Sequence, residues 1–231
     1  MKEAFKSGEG VPWGAESPCL SCMTAEFFRP GYENNVMQAW LPALEGVVEK
    51  LEEGAEIADI GCGHGLSTMI MAQGFAKSRA HGFDFHAGSI EEARHHAAKH
   101  GVENVDYHVQ EAKELPGEYD LVTFFDCLHD MGDPIGAMRR AKKALKPGGM
   151  VMIVEPMAAD SLAENLNPVG RMYYAASTMV CVPTSLAQET GLALGAQAGE
   201  KRLRSVAEEA GFTSFRRATE TPFNLILEAR A

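Results

Sequence analysis

The chain has 231 residues, 45% of them hydrophobic and 23% charged, which suits one globular domain over residues 1–231 with a substantial core. Its formal net charge of −11 repels phosphate backbones, so we expect no nucleic-acid partner. No apolar run approaches the roughly 20 residues that cross a bilayer, and the N-terminal sequence lacks the apolar core of a signal peptide. We therefore expect no membrane partner and a cytoplasmic location.

Short apolar runs alternate with amphipathic stretches between residues 55 and 156. Strands are predicted at 56–60, 80–85, 105–109, 120–125 and 150–155. Helices are predicted at 66–75, from Ser89 onward and at 134–145, with a turn at 146–149. Ser89 and Glu92 have the spacing of a capping box. This alternation predicts an α/β fold with a doubly wound, mostly parallel sheet that binds its ligand beyond the carboxyl ends of the strands.

Two segments flank this core. Residues 1–54 carry apolar side chains at helical spacing, interrupted by Pro42, and are expected to form a helical cover. Residues 157–199 form a long segment rich in Met, Ala, Ser and Asn, which is either a lid or substrate-binding insertion or a packing insertion. Residues 200–231 predict a helix and a closing hairpin that complete the core.

The five cysteines are not spaced as a disulfide framework, so reduced thiols are expected. Cys19 and Cys22 form a CxxC pair, for which a structural metal or a redox role stays open, but no second pair follows. His96 and His100 share a helix face without an evident third ligand. We therefore expect no metal.

A glycine-rich loop, Asp59–Gly65, lies between a predicted strand and a predicted helix. Glycines let the backbone turn sharply and let a ligand approach the main chain. Asp84 ends the next strand, where a carboxylate accepts hydrogen bonds from two vicinal ribose hydroxyls. Nucleotide dehydrogenases share this arrangement. Asp59, two residues before the first glycine of the loop, favours a ligand with a charged amino-acid tail over one with a pyrophosphate; capping of local amides is the alternative.

The loop, Asp84 and three later motifs together resemble class I S-adenosylmethionine-dependent methyltransferases. The later motifs are Glu111-Ala112, the stretch Tyr119–Val122 leading to Asp126, and Leu145–Gly149. The resemblance implies a Rossmann-like sheet of seven strands with an antiparallel last strand, and S-adenosylmethionine as cofactor, with S-adenosylhomocysteine as product. The cofactor-binding residues that it implies are Asp59, Gly61, Cys62, Gly63, Asp84, Phe85, Glu111, Ala112, Asp126 and Cys127.

The whole chain resembles in particular a bacterial group of methyltransferases of unknown substrate. It shares with them stretches such as FFRPGY, FDCLHDMGDP, NLNPVGR, GLALGAQAGE and ETPFNLILEAR. Members of that group usually carry an N-terminal winged-helix domain, for which this chain has no room. Because that domain often mediates dimerisation, both a monomer and a homodimer are expected states.

His129 is the candidate catalytic residue, because it follows the fourth core strand and titrates near neutral pH. The stretch Cys127–Asp133 resembles the HD-x-x-D motif of small-molecule O-methyltransferases, in which the histidine is the general base. Methyltransferases of this class also carry a similarly placed histidine that only lines the cofactor pocket, and a buried structural histidine is a third interpretation. Asp130 or Asp133 would orient His129 or cap the next helix.

Four residues outside the core are candidates for the substrate site: Arg29, Tyr32, Arg171 and Tyr174. Either arginine would hold an anionic substrate by paired hydrogen bonds, although packing or a surface ion pair explains it equally. The sequence thus predicts methyl transfer to a small molecule, with oxygen as the favoured acceptor atom and nitrogen, carbon and sulfur as alternatives. An oxidoreductase and a non-catalytic S-adenosylmethionine-binding regulator or sensor are the other readings.

Overall fold

Seven strands form one sheet in the computed structural model, which describes residues 1–231. The strands are β1 (Glu56–Ile60), β2 (Arg79–Asp84), β3 (Val105–Val109), β4 (Tyr119–Phe125), β5 (Leu145–Pro156), β6 (Ser214–Glu220) and β7 (Asn224–Arg230). Their spatial order is β3-β2-β1-β4-β5-β7-β6, and β7 runs antiparallel to both of its neighbours. The predicted mostly parallel sheet of seven strands with an antiparallel last strand is confirmed.

Helices cover both faces of the sheet. They are α1 (Lys2–Ser7), α2 (Pro18–Asn35), α3 (Val47–Glu53), α4 (Leu66–Gly74), α5 (Ala87–His100), α6 (Pro134–Lys143), α7 (Pro168–Ala176), α8 (Val182–Leu186) and α9 (Gly199–Glu209). Alternate residues of β4 belong to different cores: Val122 packs in one with α6 and α9, and Leu121 in the other with α3 and α4. A strand that is buried on both faces needs apolar residues at successive positions, which explains the continuous apolar run in the sequence of β4.

Three boundaries differ from the prediction. Helix α5 begins at Ala87, because the Nδ1 atom of His86 accepts the Ser89 amide at 3.2 Å and caps the helix; the predicted Ser89 capping box is wrong. Helix α6 ends at Lys143, before the predicted 145. The predicted turn at 146–149 lies inside β5, since Leu145 already pairs with Tyr119 and the register then shifts as in a bulge.

The flanking segments are mostly helical. Helix α2 is followed by a π-helical turn, Val36–Trp40, and Pro42 lies in the next 3₁₀ turn, Leu41–Ala43, so the predicted interruption at Pro42 is confirmed. Between α7 and α8 lies a second π-helical turn, Ser177–Cys181. No helix combines the length and the apolar character that a membrane span requires.

Candidate functional site

A cavity of about 410 Å³ opens at the carboxyl ends of β1, β2 and β4. This is the edge at which ligands bind in open parallel sheets. The core lines it with residues such as Gly61, Asp84 and Asp126, and both flanking segments also contribute. The contributions of the flanking segments include Trp13, Thr24, Phe28, Tyr32, Thr184, Gln188 and Glu189. Core and flanking segments therefore enclose one site.

Asp84 presents a carboxylate to this cavity. Its Oδ2 atom accepts the Gly63 amide at 3.0 Å and its Oδ1 atom accepts the His86 amide at 2.8 Å, so its orientation is fixed by the backbone. Burial raises the pKa of the carboxyl above its usual value, and the two amides oppose that shift. Each oxygen keeps a further lone pair for a ligand hydroxyl. The geometry suits the vicinal hydroxyls of a ribose.

Most of the predicted cofactor contacts lie around Asp84. The residues of that set that line the cavity are Gly61, Cys62, Gly63, Phe85, Glu111, Ala112, Asp126 and Cys127. The Phe85 side chain is 48% exposed, which leaves its ring free to pack against a flat ligand. The structure thus brings together residues from four different strand ends.

Asp126 has a strained backbone, with φ of 50°, directly after β4. Its Oδ2 atom accepts the Tyr32 hydroxyl at 2.9 Å, and its Oδ1 atom accepts the Asn224 amide nitrogen at 3.0 Å. Tyr32, which was predicted to belong to the substrate site, therefore connects helix α2 to the cavity wall at the end of β4. Asn224 lies in one of the stretches shared with the bacterial group, but it was not predicted as a site residue.

Asp59 does not reach the cavity, which corrects the expectation that it faces the amino-acid tail of the ligand. The side chain is fully buried, and its Oδ2 atom accepts the hydroxyls of Ser67 and Thr68 at 2.6 and 2.7 Å. Its Oδ1 atom accepts the Thr123 hydroxyl at 2.9 Å, because the register pairs Asp59 with Thr123. Asp59 holds the first turn of α4 and strand β4 behind the glycine loop.

The buried carboxyl of Asp59 should leave a signature in the pH dependence of stability. Burial raises its pKa from 3.8 to about 6, although three hydroxyls oppose the shift. The folded chain then binds the proton more tightly than the unfolded chain, so this contribution is present at low pH and is lost as the pH rises through about 6. Asp59→Asn should therefore gain about 1 kcal/mol relative to the wild type between pH 5 and pH 7 in urea unfolding. Parallel pH profiles would contradict this.

His129 also lies outside the cavity lining. Its side chain is 2% exposed, its Nδ1 atom lies 2.5 Å from Glu155 Oε2, and its Nε2 atom lies 3.1 Å from Asp130 Oδ1. Burial lowers the pKa of the imidazole, but the carboxylates of Asp130 and Glu155 outweigh it and hold the pKa well above the usual value. In this structure the imidazole faces two carboxylates and not the cavity, whereas the general-base interpretation of His129 places it beside the acceptor. The neighbouring Asp130 is the residue that lines the cavity.

The other predicted substrate residues lie away from the cavity. Arg29 pairs with Glu26 at 2.8 Å and with Glu33 at 3.6 Å on the surface of α2. Arg171 is exposed, and neither it nor Tyr174 lines the cavity. Of the four, only Tyr32 lines the cavity. Other flanking residues that line it, such as Trp13 and Gln188, were missed, because isolated residues in these segments form no motif.

A profile of the methyltransferase domain family matches residues 51–211. The ubiquinone biosynthesis O-methyltransferase of Pseudomonas aeruginosa is 33% identical over 131 residues, which cover 54% of this chain and 53% of that protein. The corresponding Xanthomonas euvesicatoria protein is 37% identical over 115 residues, which cover 48% of this chain and 47% of that protein. The chain thus spans about half the length of these curated relatives.

Solved structures show the same fold at low identity. An O-methyltransferase family protein from Burkholderia thailandensis has a TM-score of 0.68 and 16% identity, over 92% of this chain and 58% of that chain. The O-methyltransferase of neocarzinostatin biosynthesis, solved with S-adenosylhomocysteine and 1,4-dihydroxy-2-naphthoic acid, has a TM-score of 0.68 and 18% identity, over 99% and 66%. Magnesium protoporphyrin IX methyltransferase from Synechocystis, solved with S-adenosylhomocysteine, has a TM-score of 0.59 and 20% identity, over 88% and 83%.

The family match includes the glycine loop, Asp84 and the strand ends that form the cavity. The solved neighbours share the sheet and its covers, and two of them hold the product of S-adenosylmethionine. The predicted family and fold are confirmed by these agreements. The chain belongs to the methyltransferase domain family and has the fold of the class I S-adenosylmethionine-dependent methyltransferases.

Proposed function

We propose that this chain binds S-adenosylmethionine in the cavity and transfers its methyl group to an oxygen atom of a small molecule. The observation that carries the proposal is the Asp84 carboxylate, held by the Gly63 and His86 amides at the cavity wall. A group oriented in this way needs no reorganisation when ribose hydroxyls arrive. The proposal covers this chain, whose match to the curated relatives spans about half of their length.

The residues around the cavity fit the parts of this cofactor. Asp84 accepts the ribose hydroxyls, Phe85 and Ala112 flank a flat base, and the loop at Gly61 and Gly63 leaves room against the main chain. Asp126 presents a carboxyl group to the cavity for the ammonium group of the amino-acid tail; burial raises the pKa of this carboxyl, and an incoming cation would favour its ionised form. The bound cofactor supplies an already activated methyl group, so the protein has to hold the acceptor close and in line.

Oxygen is favoured as the acceptor atom for two reasons. The curated relatives are named O-methyltransferases, and one solved neighbour holds a dihydroxylated naphthoic acid. Among the residues that line the cavity, Asp130 Oδ1 and Thr184 Oγ1 are buried atoms without a hydrogen-bond partner. Unpaired buried polar atoms are costly, and an acceptor hydroxyl would satisfy them.

His129 takes an indirect part in this proposal. Because both ring nitrogens face carboxylates, the imidazole does not contact an acceptor in this arrangement. The general-base hypothesis would require Asp130 to swing away from Nε2. We assign His129 the role of a positioning residue, which holds Asp130 at the cavity wall.

An acceptor screen tests the proposal. The purified chain is mixed with S-adenosylmethionine and with hydroxylated aromatic acids, amines or thiols of matched size, and release of S-adenosylhomocysteine is measured. We expect turnover with hydroxylated compounds and none with their O-methylated counterparts. Turnover restricted to amines or thiols would overturn oxygen as the acceptor atom. Tight cofactor binding without turnover on any compound would favour the non-catalytic binder.

A further inference from the structure

Three side chains with metal-binding chemistry converge where Asp130 lines the cavity. His129 and Asp130 lie in the 3₁₀ turn after β4, and Cys181 ends the π-helical turn that follows α7. Their ligand atoms all lie within 4.8 Å of one another. The sequence did not reveal this group, because about 50 residues separate its two parts and the spacing matches no metal motif.

The surroundings of the three side chains resemble those of a bound metal. His129 is 2% exposed and Cys181 is 7% exposed, so both are screened from water. Glu155 Oε2 lies 2.5 Å from the Nδ1 atom of His129, which directs Nε2 toward Asp130 and Cys181. A carboxylate on the far nitrogen is the usual partner of a metal-bound histidine.

Asp130 gives the second, independent observation. Its Oδ1 atom is buried and makes no hydrogen bond, although His129 Nε2 lies 3.1 Å away. A buried carboxylate oxygen without a partner is expensive. A cation between Asp130, His129 and Cys181 would remove that cost.

We propose that His129, Asp130 and Cys181 bind one divalent transition-metal ion of the zinc type. An imidazole nitrogen, a thiolate and a carboxylate are all zinc ligands, whereas magnesium and calcium prefer oxygen alone. Zinc bonds of about 2.0 to 2.3 Å place tetrahedral ligands within about 4 Å of one another, so small side-chain rotations complete the site. Three protein ligands leave one position open, as in catalytic zinc sites.

A metal held by these three residues would lie beside the cavity, because Asp130 lines it. This role rests on the proposed O-methylation: the metal would bind the hydroxyl of the acceptor. The bound hydroxyl loses its proton to solvent water at a lower pH than the free acceptor, because the cation stabilises the oxyanion. Its oxygen then forms the bond to the methyl carbon while the carbon–sulfur bond breaks and S-adenosylhomocysteine leaves.

Cobalt is the probe for this site, since a Co²⁺–thiolate bond gives a charge-transfer band in the near ultraviolet. The exposed Cys19 and Cys22 on α2 could give the same signal, so the experiment uses the Cys19→Ser/Cys22→Ser chain as its background. After chelator treatment and titration with Co²⁺, we expect the band to saturate at one ion per chain. Zn²⁺ should displace the cobalt and abolish the band.

Three further variants on that background locate the ion. Cys181→Ser should remove the charge-transfer band, and Asp130→Asn and Glu155→Gln should weaken Co²⁺ binding about 10- to 100-fold. Cys62→Ser is the matched control, because Cys62 is as buried as Cys181 but lies on the cofactor side of the cavity. Thermal unfolding checks that each variant folds, and added Zn²⁺ should raise the Tm of the background chain but not of Cys181→Ser.

The outcomes separate this proposal from the methyl-transfer proposal. A chelator-treated chain that binds no cobalt, or a band that persists in Cys181→Ser, overturns the metal site even if methyl transfer is intact. A thiolate band that depends on Cys181 supports the metal site even if no acceptor is turned over. Turnover that falls on chelation and returns with Zn²⁺ supports both.

Discussion

Asp84→Ala is expected to weaken S-adenosylmethionine binding about 100-fold or more. The carboxylate lines the cavity, the proposed binding mode gives it two ribose hydroxyls as donors, and a hydrogen bond to a charged group contributes about 1.5 to 3 kcal/mol. The loss is increased because the Gly63 and His86 amides lose the acceptor that orders the loop. Isothermal titration calorimetry with S-adenosylmethionine and with S-adenosylhomocysteine measures the change.

The matched control for this variant is Asp106→Ala. Asp106 lies on the adjacent strand β3, carries the same charge and pairs with Arg79 on the surface at 2.6 Å, away from the cavity. Both variants change the net charge equally, so a long-range electrostatic effect would appear in both. We expect wild-type affinity for Asp106→Ala. Wild-type affinity for Asp84→Ala would instead place the cofactor elsewhere.

Asp84 could be predicted because its position follows from topology. Parallel strands bring their carboxyl ends to one edge of the sheet, so residues that end consecutive strands meet there whatever their side chains do. The glycine loop after β1 and Asp126 after β4 were found in the same way. The sequence patterns identify these strand ends to within one or two residues, which is sufficient to define the site.

Side-chain direction was harder to predict. Successive residues of a strand point to opposite faces of the sheet. Asp59 lies on the face of β1 that α4 covers, so its side chain contacts α4 and does not enter the cavity. For His129 the decisive partner is Glu155, which reads in the sequence only as the end of an apolar strand. A contact between residues 26 positions apart follows from the pairing of β4 with β5, and no local pattern signals it.

The docking of the helical segments that cover the sheet is also hard to predict from sequence. Helical spacing predicts that residues 1–54 fold over the core, but which faces of the cover meet the cavity depends on how α2 docks. The Tyr32 hydroxyl on Asp126 settles that docking. In this orientation of α2, Tyr32 lines the cavity, whereas Arg29, three residues earlier, pairs with Glu26 on the outer side of the helix.

Gly61→Ala is expected to destabilise the chain by about 3 kcal/mol, even without cofactor. Gly61 has φ of +69°, a conformation that costs a residue with a Cβ atom about 1 to 2 kcal/mol. A Cβ atom there would also lie 2.7 Å from Cys127 Sγ and 2.9 Å from Cys127 Cβ, and overpacking of this kind costs about 1 to 3 kcal/mol. Urea unfolding of the cofactor-free chain gives the change in free energy of unfolding.

Gly63→Ala isolates the first of these two costs. Gly63 also has a positive φ, +52°, but a Cβ atom there would meet no protein atom within 4 Å. We therefore expect a loss of about 1 kcal/mol from backbone strain alone. Removing Cys127 Sγ should then recover part of the larger loss, so the double variant Gly61→Ala/Cys127→Ala should be less destabilised than the sum of its single changes. Equal losses for Gly61→Ala and Gly63→Ala, with no coupling to Cys127, would mean that the glycine loop is not packed against the turn after β4. In that case the glycine loop would pack less tightly against Cys127 than its contacts indicate. The fixed orientation of Asp84 would then have to come from its own two hydrogen bonds with backbone amides.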